Sequence, residues 1–465
     1  MKSLNQGGDS VKKDAILFVD VDESPSARYN YREPHFAVGR LRDLACLVAA
    51  VSGRDYLERL RQDCDELFLL EALREDAILD LVKELEGQYN VRAIFCHAGH
   101  ASAQGQVGCI VARVCQQLGL VYACPDAIAA CNNKFVMRQV LSRHGLRSVP
   151  FALCNNQQEL EEGAARIGYP LIIKPAFGGA SAFIRKCTNW SELRSHYALF
   201  LAHHGEASCA DFYGCTHVLP EVDGSPRNYI PGQSILLEGY IEGVEGTVEC
   251  MVIGERVHPV LINEKLMLTE RSGTVLENLL ITPPASFTDG ECADIRQYTI
   301  ECLRAVGLTN ALVHFEFRLT EDGPVVIEIN PRLGGLYVNA ALRDLAKLDP
   351  YQLYVSLLLG EQTTDIELER ATQEAAECAQ SYAMLAVYPQ ESGVFKGFEG
   401  VDFLKGHEAV VEYAVQEPGG YIDADIEEHY LLKCWVKVDN AAQAHAMHDA
   451  VMHNLSAIID QRHAG

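Results

Sequence analysis

The run Val313 to Arg332, V-H-F-E-F-R-L-T-E-D-G-P-V-V-I-E-I-N-P-R, leaves the backbone few options. Two β-branched and aromatic stretches flank Thr320-Glu321-Asp322-Gly323-Pro324, a polar segment whose glycine accepts positive φ, so the spacing predicts a hairpin with a tight turn. With Glu321 to Gly323 as the loop, Thr320 faces Pro324, Glu316 falls opposite Glu328, and His314 opposite Asn330. Directly opposed side chains point the same way, roughly 5 Å apart. Glu328 and Asn330 share a face by the two-residue period, leaving Val325, Ile327 and Ile329 for the core face. A loop one residue shorter would turn Glu316 away from Glu328.

Two adjacent carboxylates repel, and burying them without a counter-charge is costly. Either the pair lies on a wet face of a surface hairpin, or a hard cation joins it. Mg2+ commonly uses one or two carboxylates together with substrate phosphates. Glu316, Glu328 and Asn330 supply three oxygen ligands, and Arg332, just past Pro331, can neutralise an acyl phosphate or a transferring phosphoryl group.

The 465 residues are enough for roughly two to four domains. Lys and Arg number 39 against 64 Asp and Glu, a formal charge of -25, which argues against a nucleic-acid or anionic-membrane partner. The 16 cysteines are scattered, often inside apolar runs, with no CxxC pair. They read as small apolar fillers in a reducing cytoplasm, which is the expected location. No run reaches transmembrane length, and the polar N-terminus lacks an apolar signal region.

Ala15 to Val19, Glu66 to Leu70 and Val91 to Phe95 read as strands, and Phe36 to Ser52, Asp76 to Glu86 and Gln106 to Leu118 as helices. This alternation predicts a parallel three-layer unit, and no GxGxxG follows the first strand to suggest a dinucleotide site. A helix opens at Asn132-Asn133-Lys134 and closes at Gly145, and another spans Asn156 to Ile167. Tyr169 to Pro175 is a strand with Lys174 near its end, His203 to Gln233 a long surface excursion, and Tyr351 to Leu359 a helix. Strands at Tyr382 to Tyr388, Val410 to Val415 and Leu431 to Val438, with a final helix from Ala441 to Ile459 capped by Asp439-Asn440, predict a small α+β unit. The expected divisions are a disordered 1–13, an α/β domain over 14–130, a core over 131–355 and an α+β domain over 356–465.

After Lys174, Gly178 and Gly179 allow a loop whose amides converge on phosphate oxygens with help from Ser181, although an ordinary structural turn has the same composition. Ile235 to Ile241 is an apolar strand; exposed backbone at Glu238 to Ile241 suits an adenine edge, and Glu245 a pair of ribose hydroxyls. A hairpin with charged turn residues is the plainer account of that stretch. Val260 to Lys265 delivers Lys265 either to the β/γ phosphates or to a solvated strand end.

In this order the motifs resemble the ATP-grasp carboxylate-amine ligase superfamily, and within it the chain looks most like the L-amino acid (dipeptide) ligases of the bacilysin-synthetase type. The resemblance covers Cys131 to Pro350 and extends more loosely to both ends. It implies an ATP-grasp fold, α/β and α+β, with an N-terminal parallel-sheet (pre-ATP-grasp) domain, a two-lobed nucleotide-binding core and a small, lid-like C-terminal α+β domain. The long 203–233 segment departs from it and implies an elaborated outer lobe.

Residue by residue, the resemblance implies that Lys134 and Lys174 contact the nucleotide and that Gly178, Gly179 and Ser181 belong to the loop over the phosphates. Glu238 and Ile241 match the adenine hinge, and Glu245 the ribose acceptor. Glu316, Glu328 and Asn330 match the metal ligands, and Arg332 the arginine at the acyl phosphate. The implied cofactors are ATP and Mg2+, as two ions, with Mn2+ as a substitute. The implied reaction joins two amino acids, or an amino acid and a related amine, through an acyl phosphate, giving ADP and phosphate. Lys265 would hold phosphates, and His314 would orient Glu316, contact substrate or serve structure alone. The segment Leu266 to Pro284 is expected near the acceptor pocket, with Glu270 or Arg271 holding an amino acid. Small amino acids are the expected partners, and homodimers are common in the resembled family. The competing readings are a biotin-carboxylase-like or purine-pathway activity on the same fold, and a non-catalytic nucleotide-binding module.

Overall fold

The computed structural model describes residues 12–19, 43–52, 57–96, 107–178, 181–206, 217–220, 226–271, 274–362, 365–426 and 428–461. The first unit holds β1 (Lys13–Val19), β2 (Ala45–Val51), α1 (Leu57–Asp63), β3 (Glu66–Leu70), α2 (Glu75–Leu85), β4 (Tyr89–Phe95) and α3 (Val107–Leu118). Its sheet is wholly parallel, in the order β3-β2-β1-β4. The helix expected over 36–52 is corrected: 45–51 is a strand, and 36–42 lie outside the described residues. A-C-L-V-A-A-V is apolar at every position and so carries no period that separates helix from strand. The reason it is a strand is its place beside β1 in the middle of a parallel sheet, where both faces are covered and all but its last residue are buried.

α4 (Pro125–Asn132) leads into α5 (Lys134–Arg143). Asn133 caps α5 by accepting from the Phe135 and Val136 amides, a contact worth about 1 kcal/mol. Then come β5 (Phe151–Cys154), α6 (Gln157–Ile167), β6 (Leu171–Lys174), β7 (Arg185–Cys187), α7 (Trp190–His203), β8 (His217–Pro220), β9 (Pro226–Tyr229) and β10 (Ile235–Gly239). β5-β10-β6-β7 is an antiparallel sheet, with residues of α6 and α7 packed on it in one core cluster. Within the segment read as a surface excursion, β8 and β9 pair, and Tyr229 is buried with its ring 5.6 Å from that of Phe177.

The remaining elements are β11 (Val244–Ile253), β12 (Arg256–Glu270), β13 (Val275–Thr282), α8 (Asp289–Ala305), β14 (Ala311–Thr320), β15 (Gly323–Asn330), α9 (Val338–Leu345), α10 (Pro350–Leu358), α11 (Asp365–Glu377), β16 (Ser381–Val387), β17 (Gly393–Glu399), β18 (Val410–Val415), β19 (Tyr421–Ile422), β20 (Leu432–Val438), α12 (Ala441–Asn454) and β21 (Ser456–Asp460). An eight-stranded antiparallel sheet runs β15-β14-β11-β12-β13-β16-β20-β18, so the C-terminal strands extend the sheet that carries the carboxylate hairpin. Trp435 on β20 is fully buried, stacked 4.8 Å from the Tyr382 ring. The final helix is shorter than expected: it stops at Asn454, and β-branched S-A-I-I-D becomes β21 against β17. Cys46, Cys302 and Cys434 are fully buried, as small apolar fillers would be. No helix among the described residues is long and apolar enough to cross a membrane.

Candidate active site

The hairpin reaches its expected register by an unexpected route. Thr320 pairs with Gly323, so the loop is one residue shorter than the sequence count, and Gly323 takes φ 103°. That change alone would turn Glu328 away from Glu316. A bulge at Ile327 restores it: Phe317 faces Val326, Glu316 faces Glu328, and His314 faces Asn330. The core face shifts accordingly. Val326 and Ile329 are buried, whereas Val325 and Ile327 are only partly so, because the inserted residue breaks the alternation.

Lys265 is no solvated strand end. Its side chain is 1% exposed, and its ammonium meets Glu245 at 2.7 Å, Glu316 at 3.1 Å and Glu277. Burial alone would lower its pKa, but the three carboxylates outweigh that and hold it well above the ordinary value. Burial would likewise raise Glu316, yet Lys265 and His314 bring it down to about 2. Oxygens of Glu245, Glu277 and Glu316 lie within 4.8 Å of one another. Asn330 Nδ2 donates to Glu316 Oε1 at 3.3 Å, which ties the amide to the same cluster.

His314 is held from behind. Its Nδ1 lies 2.7 Å from Glu249 Oε1 and its Nε2 3.7 Å from Glu316 Oε1. Burial works against protonation, but Glu249 and then Glu316 raise its pKa above the usual value. Gly334, the first of the two glycines after Arg332-Leu333, accounts for the close approach here: a Cβ on it would lie 2.5 Å from His314 Nδ1.

A second ionic group lies on the other wall. Lys134 opens α5 and points its ammonium at Glu328 Oε1 (2.9 Å) and the Gly178 carbonyl (3.1 Å). Lys174 meets Glu238 Oε2 at 2.8 Å, and Arg138 takes the same carboxylate from its other side. Burial would raise Glu238, but the two cations hold it at about 2. Burial lowers Lys174, and Glu238 only partly offsets this because Arg138 and Lys134 lie near. The side chain of Glu238 is therefore committed to the protein. Arg318 Nη1 donates to the Ile241 carbonyl at 2.8 Å and its Nε to Glu245 Oε2 at 2.9 Å, so one guanidinium joins the hinge to the Lys265 cluster. Tyr240 lies beneath Lys186 (3.8 Å) and Arg318 (5.0 Å).

Gly178 has φ 125° and Ser181 φ 51°; Gly179 lies outside the described residues. Arg332 follows Asn330 closely, its amide donating to the Asn330 carbonyl at 2.8 Å and its Nη1 to the Leu333 carbonyl at 2.6 Å. Glu270 and Arg271, the residues expected to hold an amino acid, lie apart from the Lys265 cluster. Glu270 is exposed at the far end of the β12–β13 hairpin and Arg271 donates to the Ala424 carbonyl, while Glu277 from the same segment reaches Lys265.

Arg138, Glu249, Glu277 and Arg318 join these clusters without having been singled out in the sequence. Glu249 carried a signal, a lone acid inside the apolar strand T-V-E-C-M-V-I. Arg138 carried another, four residues after Lys134 and hence on its helix face.

Residues 216–340 match the family model described as the ATP-grasp domain. An uncharacterized protein of Sinorhizobium fredii, y4rH, is 28% identical over 362 residues, covering 78% of this chain and 66% of that protein. Carnosine synthase 1 of Homo sapiens is 24% identical over 251 residues, 52% of this chain and 28% of that one. The chain thus spans less than two thirds of the length of these curated relatives. Among solved structures, an L-amino acid ligase from Bacillus licheniformis superposes with a TM-score of 0.72 at 18% identity, covering 97% of this chain and all of that one (100%). The biotin carboxylase domain of Hydrogenobacter thermophilus 2-oxoglutarate carboxylase gives 0.66 at 16% identity, covering 97% and 92%. A ligase and a carboxylase therefore share this architecture.

Proposed function

We propose that this chain, whose fold is that of the ATP-grasp carboxylate-amine ligase superfamily, is an ADP-forming carbon–nitrogen ligase that joins an amino acid to a second amino acid or a related amine. The observation that carries the reading is the enclosed hairpin pair, Glu316 opposite Glu328, with Lys265 on one acid and Lys134 on the other.

The donor set fits Mg-ATP. Clustered carboxylate oxygens are the hard ligands that Mg2+ takes, and the buried ammonium groups of Lys265 at that cluster, Lys134 at Glu328 and Lys174 at Glu238 suit phosphate oxygens. Glu316, Glu328 and Asn330 would hold the metal, and Lys134, Lys174 and Lys265 the phosphates. The hinge at Glu238 to Ile241 would face adenine, with Glu245 beside it for the ribose. Bound Mg2+ supplies charge neutralisation on the transferring phosphoryl group. The substrate carboxylate attacks the γ-phosphorus of ATP, giving an acyl phosphate and ADP. The amine then attacks the acyl carbon and phosphate leaves, with Arg332 placed to stabilise the oxyanion. His314, fixed by Glu249, orients Glu316.

The likeness to the L-amino acid ligase supports amino acid substrates, because at the same 97% coverage its TM-score of 0.72 exceeds the 0.66 of the biotin carboxylase domain. A carboxylase-type reaction is the second reading, favoured by the likeness to the biotin carboxylase domain. Mg-ATP with a mixed amino acid pool separates them. The expected result is phosphate release with products one water lighter than the sum of two amino acids, read by mass spectrometry. Bicarbonate-dependent turnover without an amine favours the carboxylase, and no phosphate release with any pair overturns the ligase.

A further inference from the structure

Arg138 bridges the Lys174–Glu238 group and the backbone of the carboxylate hairpin. It is fully buried. One edge of its guanidinium grips Glu238, Nε to Oε1 at 2.8 Å and Nη2 to Oε2 at 3.0 Å. From the other, Nη1 donates to the Val326 carbonyl at 2.8 Å and Nη2 reaches the Ile327 carbonyl at 3.5 Å, while Ser148 Oγ lies 3.4 Å from Nη1. Successive carbonyls of a regular strand alternate in direction, so two consecutive ones turned to a single guanidinium mark the bulge. The Val326 amide points out from this edge strand and donates to Tyr298 Oη at 3.2 Å. The irregular backbone is thus satisfied from outside the sheet, by Arg138 and Tyr298. The two-residue loop without that bulge would turn Glu328 away from Glu316.

We propose that Arg138 is a positioning residue: it fixes the bulge at Ile327, and with it the juxtaposition of Glu316 and Glu328, and through Glu238 it couples that juxtaposition to the nucleotide hinge. The proposal rests on the Mg-ATP reading above and adds to it the device that holds the metal face in register. The chemistry asks for arginine, since a planar fork of five donors spans a carboxylate and two carbonyls, whereas an ammonium does not.

Arg138→Met leaves the Glu238–Lys174 pair in place, so it strands no buried charge. Arg138→Lys keeps a cation but not the fork. For each variant and the wild type, the half-saturating Mg2+ is measured for the thermal shift produced by ADP, alongside the thermal midpoint without nucleotide. Loss of an outer support of metal ligands typically costs about 10–100-fold in metal affinity, and that rise is expected for Arg138→Met, with a smaller rise for Arg138→Lys. A merely structural role lowers the midpoint of both variants and leaves the Mg2+ requirement unchanged, which overturns the proposal. If Arg138→Met does not fold, Arg138→Lys alone decides on the same two outcomes. A wild type that binds no nucleotide with Mg2+ overturns the Mg-ATP reading itself, and this proposal with it, whereas a responsive wild type and variants that need no more Mg2+ than it does overturn the positioning role alone.

Discussion

Lys265→Met removes a cation that meets Glu245, Glu277 and Glu316 together. In the wild type that cluster carries three carboxylates and one ammonium; in the variant, one bound proton would restore the same net charge. Glu277 is the acid to take it, because burial already raises it above its ordinary value of 4.5. Relative to the unfolded chain, where a Glu keeps its ordinary value, holding this carboxyl protonated at about pH 8 costs roughly 1.36 kcal/mol for each of about 3.5 pH intervals, or about 5 kcal/mol. At about pH 5 the same step costs less than about 1 kcal/mol. The upper figure agrees with the roughly 3–5 kcal/mol lost when one partner of a buried ion pair is removed. It is a large fraction of a total stability of about 5–15 kcal/mol.

The signs follow from linkage. The variant's carboxylate has a folded pKa above its unfolded one, so stability is complete at low pH and is lost as pH rises. Wild-type Lys265, also raised, contributes in full through neutrality and loses its contribution only as alkaline pH passes its folded pKa. Urea unfolding at about pH 8 and about pH 5 should therefore show a deficit of several kcal/mol at the higher pH that nearly closes at the lower. Added Mg2+ should narrow the deficit at the higher pH. A deficit below about 1 kcal/mol, indifferent to pH and to Mg2+, would refute the reasoning that Lys265 balances the cluster.

Glu328→Gln should raise the Mg2+ needed for half-maximal phosphate release by about tenfold or more, while the fold persists because Lys134 keeps the Gly178 carbonyl; an unchanged Mg2+ titration would remove Glu328 from the metal set. Glu428, buried against Tyr388, Tyr430 and the Glu277 amide, is raised by burial and by Glu277 to about 8. Its raised pKa means its stabilising contribution is complete below about 4.5 and is lost as pH rises toward about 8, so Glu428→Gln should match the wild type in acid and exceed it near the upper limit. Parallel stability–pH curves for the two proteins would count against that burial.

Much of the architecture was legible because local pattern carries it. Asn133, Asn156 and Asn440 cap the helices that their positions announced, and Gly145 follows the end of α5 with φ 66°. β2 was not legible, since a run buried on both faces has no polar residue to mark its period. β21 was missed for a related reason: S-A-I-I-D follows a helix without a break, and only its pairing with β17 makes it extended.

The site divides along the same line, and the hairpin shows why. Glu316, Glu328, Asn330 and His314 lie on two strands joined by one turn, so counting reached their juxtaposition from the sequence. The count erred in the loop length and omitted the bulge, and the two errors cancelled because each shifts the register by one residue. Neither was visible locally. The bulge is stabilised by Arg138, 188 residues from Val326 in sequence, and by Tyr298 on α8. Glu249 and Glu277 were hidden in the same way. Each becomes part of the site only when its strand is registered against a neighbour, Glu249 with His314 across β11–β14, and Glu277 with Lys265 across β12–β13. A single strand reveals which faces alternate, but which charges meet is decided by the pairing of strands. Lys265, which the sequence left open as a solvated strand end, is therefore one that the sheet brings inside.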